Sequence, residues 1–235
     1  SIVKYLASKG LNIVVQYNNS SKEIRKIERI TKKYNVKFHS FKFDFENLEN
    51  LEESYKKIIK KIGKIDILIN NASAFDYDSL DTSDFILFDR HINVNLKAPF
   101  FLSKYFKKNL GSKSGLIINL LDQRVNNITP YFTSYTISKT ALYSLTKSLS
   151  ISLAPNIRVN GISPGPTLMS KNQNKNQFRE QVLRTPLKTQ VKLSEINAGV
   201  SYLLDNQSIT GEVLTLDSGQ SLGWAHSKSR IFKTD

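Results

Sequence analysis

Apolar and polar positions along this chain follow two periods that take turns. Short apolar runs read as buried strands, and stretches with apolar residues three and four apart read as amphipathic helices. Ser1 to Lys9 is predicted to be the end of a helix, stopped by Gly10. LNIVVQY, Leu11 to Tyr17, is a buried strand. Ser20 is placed as the N-cap of a helix running to about Tyr34, and Val36 to Phe43 is the next strand. Asn47 to Ile62 is helical, with Leu48, Leu51, Tyr55, Ile58, Ile59 and Ile62 on one stripe and Gly63 as its stop. Ile65 to Asn70 is a short apolar strand, and Thr82 to Leu110 a long or bent helical stretch.

The second half repeats the rhythm. Gly115 to Leu121 is a strand, and Ser134 to Leu153 a long helix stopped by Pro155. Ile157 to Ile162 is a strand that runs into the turn SPGP. A polar region from Ser170 to about Lys192 contains a helix near Asn176 to Leu183. Ser194 caps a helix to Leu204, and Gly211 to Asp217 is the last strand. Alternating helices and strands with short connections predict an α/β fold, a parallel sheet covered by helices. No internal repeat or linker interrupts residues 1–235, so they read as one domain. An open sheet of this kind that binds a dinucleotide normally begins with a strand and a glycine-rich turn. Here the chain begins inside the helix that should follow them, and no GxGxxG occurs, so the domain reads as N-terminally incomplete.

Composition narrows the classes. A chain of 235 residues with 40% hydrophobic content can bury a sizeable core. No apolar run approaches the roughly 20 residues of a membrane span, and the first residues lack a signal peptide's apolar core. With no cysteine there is no disulfide or thiolate chemistry, and a reducing, cytoplasmic compartment is expected. Three scattered histidines argue against structural zinc, and no metal is expected. The formal charge of +14 invites a nucleic-acid reading. The lysines are spread over helices such as Lys22 to Lys33 and Lys56 to Lys64, without an aromatic-interleaved ribbon, so no nucleic-acid partner is expected. Such a surface can still steer a phosphate-bearing cofactor inward.

The candidate chemistry lies in Asp122 to Lys139, DQRVNNITPYFTSYTISK. Tyr135 and Lys139 are four apart on a predicted helix, so phenol and ammonium share a face. The ammonium is expected to lower the tyrosine pKa and make it a usable proton donor or acceptor. Asp122 stands thirteen residues before the tyrosine. Alone it would read equally as a turn or cap residue after a strand.

Other stretches fall into order around this one: NNAS at Asn70 to Ser73, NVNLKAPF at Asn93 to Phe100, SPGPT at Ser163 to Thr167 and TLDSGQ at Thr215 to Gln220. Together with Asp122, Tyr135 and Lys139 they resemble the short-chain dehydrogenase/reductase family over essentially the whole chain. The resemblance implies a Rossmann-type doubly wound sheet, a nicotinamide cofactor and a dimer or tetramer. Most members carry serine where Asp122 stands. Aspartate there, with NNAS-x-F in place of NNAG, resembles the pteridine and dihydromonapterin reductases. Chemistry gives that exchange a reason. A hydroxyl suits a ketone, because it donates to the oxygen that becomes an alkoxide, which a carboxylate would repel. Reduction of a ring C=N bond needs a proton on nitrogen, which an aspartate beside Tyr135 can help relay.

Carried over residue by residue, the resemblance makes Tyr135 the proton donor. It has Lys139 hold the nicotinamide ribose and Asn95 hold a water near the lysine. Asn70 and Ala72 line the adenosine and ribose, and Asp44 meets the adenine amino group. Pro164, Gly165 and Thr167 face the carboxamide. Ser73 bonds the pterin and Phe75 stacks on it, with Gln173 to Lys192 as the variable substrate loop. From the residues alone, Asn95 also reads as a helix residue, Asp44 and Pro164-Gly165 as turns, and Phe75 as a core anchor. QYNNSS, Gln16 to Ser21, has no acid to bind a ribose 2′-OH. Asn19 and Ser20 suit a 2′-phosphate, Ser20 at a helix N-terminus, so NADP is expected, although related reductases usually carry arginine where Asn19 stands. The function expected is NADPH-dependent reduction of a dihydropterin. The alternatives are a carbonyl or 3-ketoacyl reductase, or a non-catalytic homologue that lacks the cofactor cradle.

Overall fold

A computed structural model describes residues 1–171 and 173–223. The chain runs through α1 (Ile2–Ser8), β1 (Ile13–Tyr17), α2 (Ser21–Lys32), β2 (Phe38–Lys42), α3 (Leu51–Ile62) and β3 (Ile67–Asn70). Next come α4 (Phe85–Ile92), a π-helical turn (Asn93–Lys97), α5 (Ala98–Leu110), β4 (Gly115–Leu120), a 3-10 turn (Gln123–Val125) and α6 (Thr133–Ser152). The last elements are β5 (Ile157–Pro164), α7 (Lys175–Leu183), α8 (Leu193–Asp205), β6 (Val213–Leu216) and a 3-10 turn (Gln220–Leu222). Trp224 to Asp235, for which the sequence suggests no role, lie outside the described residues, as does Asn172, just before the expected substrate loop.

Every strand pairing is parallel, with β1 beside β2 and a second sheet in the order β3-β4-β5-β6. β4 shows why the α/β expectation holds. Its Leu116, Ile118 and Leu120 pack with Leu6 and Ala7 of α1 and with Val200 and Leu203 of α8. Ile117 points to the other face, against Phe106 and Leu110 of α5 and Val159 of β5. A strand buried on both faces reads as a nearly continuous apolar run, as GLIINL does apart from Asn119, whose amide is bonded to Asn70 and Thr146. Fully burying each such side chain contributes about 1.5–3 kcal/mol.

The two sheets flank an opening. β1 and β3 do not pair with each other, and no strand lies between them among the described residues. Ile13 and Val15 on one side and Leu68 and Ile69 on the other line a cavity of about 900 Å³, together with Ile2 and Leu6 of α1. The sheet reverses its winding at this place, since β2 lies beyond β1 and β4 to β6 lie beyond β3. Ligands of doubly wound sheets bind at such a switch point, outside the carboxyl ends of the strands. Gln16, Asn70, Leu120 and Pro164, from the carboxyl ends of β1, β3, β4 and β5, all line the same cavity.

Three predicted boundaries move for local reasons. Asn47 does not begin α3; its Oδ1 accepts from the Glu49 N–H at 3.1 Å, so a turn precedes the helix. Ser194 is not the cap of α8. The helix starts at Leu193, and Glu195 Oε2 accepts from the Lys192 N–H at 2.6 Å. The bend expected within Thr82 to Leu110 is the π turn, and the helix starts only after Asp84, whose Oδ1 accepts from Leu87 N–H at 2.7 Å.

Candidate active site

β4 delivers Asp122 just beyond its end, in extended backbone that opens the following 3-10 turn. Asp122 Oδ1 accepts from the Arg124 main-chain N–H at 2.9 Å, and Oδ2 accepts from Tyr135 Oη at 2.9 Å. Lys139 follows one turn later on α6, fully inside the protein, and its Nζ donates to the Leu120 carbonyl at 2.8 Å. Asp122, Tyr135 and Lys139 all line the cavity at the sheet's switch point.

The electrostatics differ from the expectation. Tyr135 is not drawn toward neutrality by the lysine; burial, and next the Asp122 carboxylate, push its phenol well above the ordinary value. Arg124 and the nearby Ser73 hydroxyl act in the opposite direction and are outweighed. Lys139 Nζ is 5.8 Å from the Tyr135 ring centre and is engaged by Leu120. Burial lowers the Lys139 ammonium to about 8, against the pull of Asp122. At neutral pH the site therefore holds a neutral phenol hydrogen-bonded to a carboxylate, a proton donor with its relay partner attached.

A buried polar cluster that the sequence did not reveal fixes the start of α6. Phe132 takes a left-handed backbone, φ 59°, rare for a bulky residue and costing roughly 1–3 kcal/mol. Its N–H donates to the Asp78 carbonyl at 2.7 Å. The Asp78 carboxylate receives the Ser134 N–H, at 3.1 Å to Oδ2. Ser134 Oγ meets His91 Nδ1 at 2.7 Å, and His91 Nε2 accepts from the Asp76 N–H at 3.2 Å. An accepting Nε2 makes Nδ1 the protonated nitrogen, so His91 donates to Ser134. Burial pushes His91 below its usual value, opposed by Asp78 and Asp76. Burial acts to raise Asp78, but the Ser134 hydrogen bonds, together with Ser83 and His91, outweigh it and hold the carboxyl below the ordinary value. These partners are 43 and 56 residues apart in sequence, so no local spacing announces them.

Asn95 sits in the π turn with its side chain saturated. Oδ1 accepts from Ala74 N–H at 2.8 Å and Ser73 Oγ at 3.1 Å, while Nδ2 donates to Ala74 O at 3.0 Å and Ser138 Oγ at 2.9 Å. Two acceptor positions and two donor hydrogens are all used. The side chain is a clamp between the loop after β3 and helix α6. Ser73 lines the cavity. Phe75 does not, and its ring stacks on Phe132 at 4.7 Å and 2° and meets Tyr135 edge-on at 4.7 Å.

Of the expected cofactor residues, Asn70, Ala72, Lys139, Pro164 and Thr167 line the cavity. Asn70 Nδ2 is tied to Asn119 Oδ1 at 2.7 Å. Gly165 is behind the wall: an added Cβ would lie 2.7 Å from Asp217 Cα, so only glycine lets this loop seat on the end of β6. Asp44 is exposed and accepts from the Glu46 N–H at 2.9 Å; it is outside the cavity lining, unlike its neighbours Phe43 and Phe45. Asn19 and Ser20 are exposed at the head of α2, also outside the lining, and Ser20 makes no side-chain cap bond. Lys139 has three donors and gives one to Leu120. The remaining two face a cavity wide enough for a nucleotide, which fits a ribose diol. Among the described residues no group of His, Cys, Asp and Glu could hold a metal ion, and no helix is long and apolar enough to cross a membrane.

Comparison with known proteins agrees with this geometry. Residues 1–221 match the family described as Enoyl-(Acyl carrier protein) reductase. The crystal structure of FolM alternative dihydrofolate reductase 1 from Brucella suis in complex with NADP superposes with a TM-score of 0.90 at 39% identity, covering 95% of this chain and 90% of that one. An uncharacterized oxidoreductase of Thermotoga maritima is 30% identical over 185 residues, 74% of each chain. The 3-oxoacyl-[acyl-carrier-protein] reductase FabG of Buchnera aphidicola is 28% identical over 226 residues, 93% of this chain and 90% of that one. The chain belongs to the short-chain dehydrogenase/reductase family of oxidoreductases, with a Rossmann-type α/β fold.

Proposed function

We propose that the protein is an NADPH-dependent reductase of a dihydropterin, of the dihydromonapterin, dihydrobiopterin or dihydrofolate class. The observation that carries this reading is the 2.9 Å hydrogen bond from Tyr135 Oη to Asp122 Oδ2. A carboxylate in that place opposes an alkoxide and serves a ring nitrogen that must gain a proton. Similarity to the Brucella suis FolM structure with NADP supports both the substrate class and the cofactor.

NADPH held against these residues would supply the hydride for the carbon of a ring C=N bond. Tyr135 gives its phenolic proton to the nitrogen, and Asp122 orients the phenol and relays a replacement proton. Lys139 holds the nicotinamide ribose with its two free donors. Asn70, Ala72, Pro164, Gly165 and Thr167 shape the dinucleotide wall, Asp44 meets the adenine, and Asn19 and Ser20 receive the 2′-phosphate at the head of α2. Ser73 bonds the pterin, and Phe75, packed against Phe132 and Tyr135, backs that wall from behind rather than stacking on the ligand. The protein works in the cytoplasm as a homodimer or homotetramer.

NADPH oxidation with a panel of dihydropterins tests the reading. Tyr135→Phe and Asp122→Asn should each lower kcat by about 10²–10⁴-fold with the melting temperature little changed. Full activity in both variants would remove the catalytic assignment. The FabG relatives favour a second reading, reduction of a 3-ketoacyl substrate. Turnover of ketoacyl esters in preference to pterins would establish it. Titration of NADPH against the 235-residue chain separates both from a non-catalytic homologue, which would not bind it.

A further inference from the structure

Arg124 stands two residues after Asp122 on the same 3-10 turn, and it touches both the charge and the aromatic wall around Tyr135. Its Nη1 is 3.5 Å from Asp122 Oδ1. Its main-chain N–H holds the same oxygen at 2.9 Å, which leaves Oδ2 for Tyr135. Its guanidinium carbon lies 4.8 Å from the Phe132 ring centre and 5.6 Å from that of Phe75. The side chain is largely buried, and Nε has no hydrogen-bond partner among the described residues. The rings and the Asp122 carboxylate are thus what hold the group in place.

We propose that Arg124 is a positioning residue for proton transfer: it fixes the Asp122 carboxylate against Tyr135 and offsets its charge when the phenol gives up its proton. The need for such a group follows from the geometry. Once Tyr135 has lost its proton, a phenolate and a carboxylate share one buried site, with their oxygens 2.9 Å apart in the protonated state. Two like charges that close disfavour ionisation of the second. The groups facing Tyr135 are Asp122 from the end of β4, Arg124 from the 3-10 turn, Lys139 one turn on in α6, His91 edge-on from α4 at 5.9 Å, and Ser73 from the loop after β3. Asp78 stands behind, bonded to Ser134. Lys139 bonds away from the phenol to Leu120, and His91 donates to Ser134. Arg124 is the cation that pairs directly with the offending carboxylate.

The catalytic consequence rests on the reductase reading above; the charge effect does not, and the test keeps them apart. Trifluorotyrosine placed at position 135 reports its own ionisation by fluorine NMR, with neither substrate nor cofactor present. Arg124→Gln should raise its pKa by about one unit, a tenfold change in the ionisation constant. Arg124→Met, which keeps the stem over the rings, should do the same and serves if the glutamine variant does not fold. Arg124→Lys should stay near the parent value. An unchanged pKa in the neutral variants overturns the proposal, and so does an equal rise in Arg124→Lys. A parent protein that ignores every dihydropterin would sink the substrate reading and leave the fluorine result standing.

Discussion

At the scale of single residues, the site shifts how tightly its groups hold their protons. Burial and the Asp122 carboxylate make Tyr135 hold its phenolic proton more tightly than water would, so the donor is fully loaded in the reductive direction. Lys139 pays the opposite penalty, since its ammonium loses water and falls to about 8 from a reference value of 10.5. That displacement links stability to pH. Between about 8 and 10.5 the unfolded chain binds more protons than the folded one, so stability rises with pH across this window. Below it both states are charged and the desolvation cost is felt in full. Lys139→Met lacks this term, and loss of the Leu120 bond affects it equally at every pH. Urea unfolding of both proteins across the window should show the native chain gaining about 3 kcal/mol on the variant. A pH-independent difference would mean that Lys139 is not desolvated as the structure has it.

At the scale of elements, the π turn at Asn93–Lys97 is what makes the site one piece. It interrupts the long helix between β3 and β4 and turns Asn95 toward both Ala74 and Ser138. Asn95→Leu removes the partner of the buried Ala74 N–H, at about 1–3 kcal/mol for a group left unpaired, while Ser73 Oγ still reaches the Ala74 carbonyl at 3.2 Å. A loss of about 1–3 kcal/mol in chemical denaturation is expected, with faster exchange of the Ala74 amide. Near-native stability would show that the clamp is dispensable. The sequence made the helix and strand order legible because β4 is largely apolar, β5 carries Ile157, Val159 and Ile162 just after Pro155, and α3 and α6 carry their own stop signals. It also placed Asp122, Tyr135 and Lys139 together, since a strand end and one helix face bring them within reach. It did not reveal the π turn, which has no periodicity of its own. It missed His91, Ser134 and Asp78, whose meeting depends on three separate segments, and it passed over Arg124 because a guanidinium beside a turn looks like a solvated charge. The expected effect of Lys139 on Tyr135 failed for a related reason: spacing put the two on one face, but burial and the Leu120 carbonyl decided which partner each one found.

At the scale of the molecule, the cavity that holds the site also divides the sheet. In a β-strand the N–H and C=O of one residue point to the same side, and neighbours alternate. Ile13 N–H donates to the Lys37 carbonyl, so Ile13 and Val15 face β2 while Val14 and Gln16 face the opening. The Asp66 carbonyl accepts from Leu116 N–H, so Leu68 and Asn70 face β4 while Ile67 and Ile69 face the opening. No strand among the described residues pairs with these opening-facing groups. Amides of β4, by contrast, lie between two paired strands under two apolar layers. Native-state hydrogen exchange on the 235-residue chain should therefore split the sheet. Val14, Gln16, Ile67 and Ile69 are expected to exchange by local fluctuation, about two orders of magnitude or more faster than Ile117 and Ile118. Gln16 supplies an internal control, because its side-chain amide donates to the Phe43 carbonyl and is held while its main chain is open. Uniform protection across β1, β3 and β4 would mean that the opening closes in solution, and the cavity beside Tyr135 would then be smaller than the structure has it.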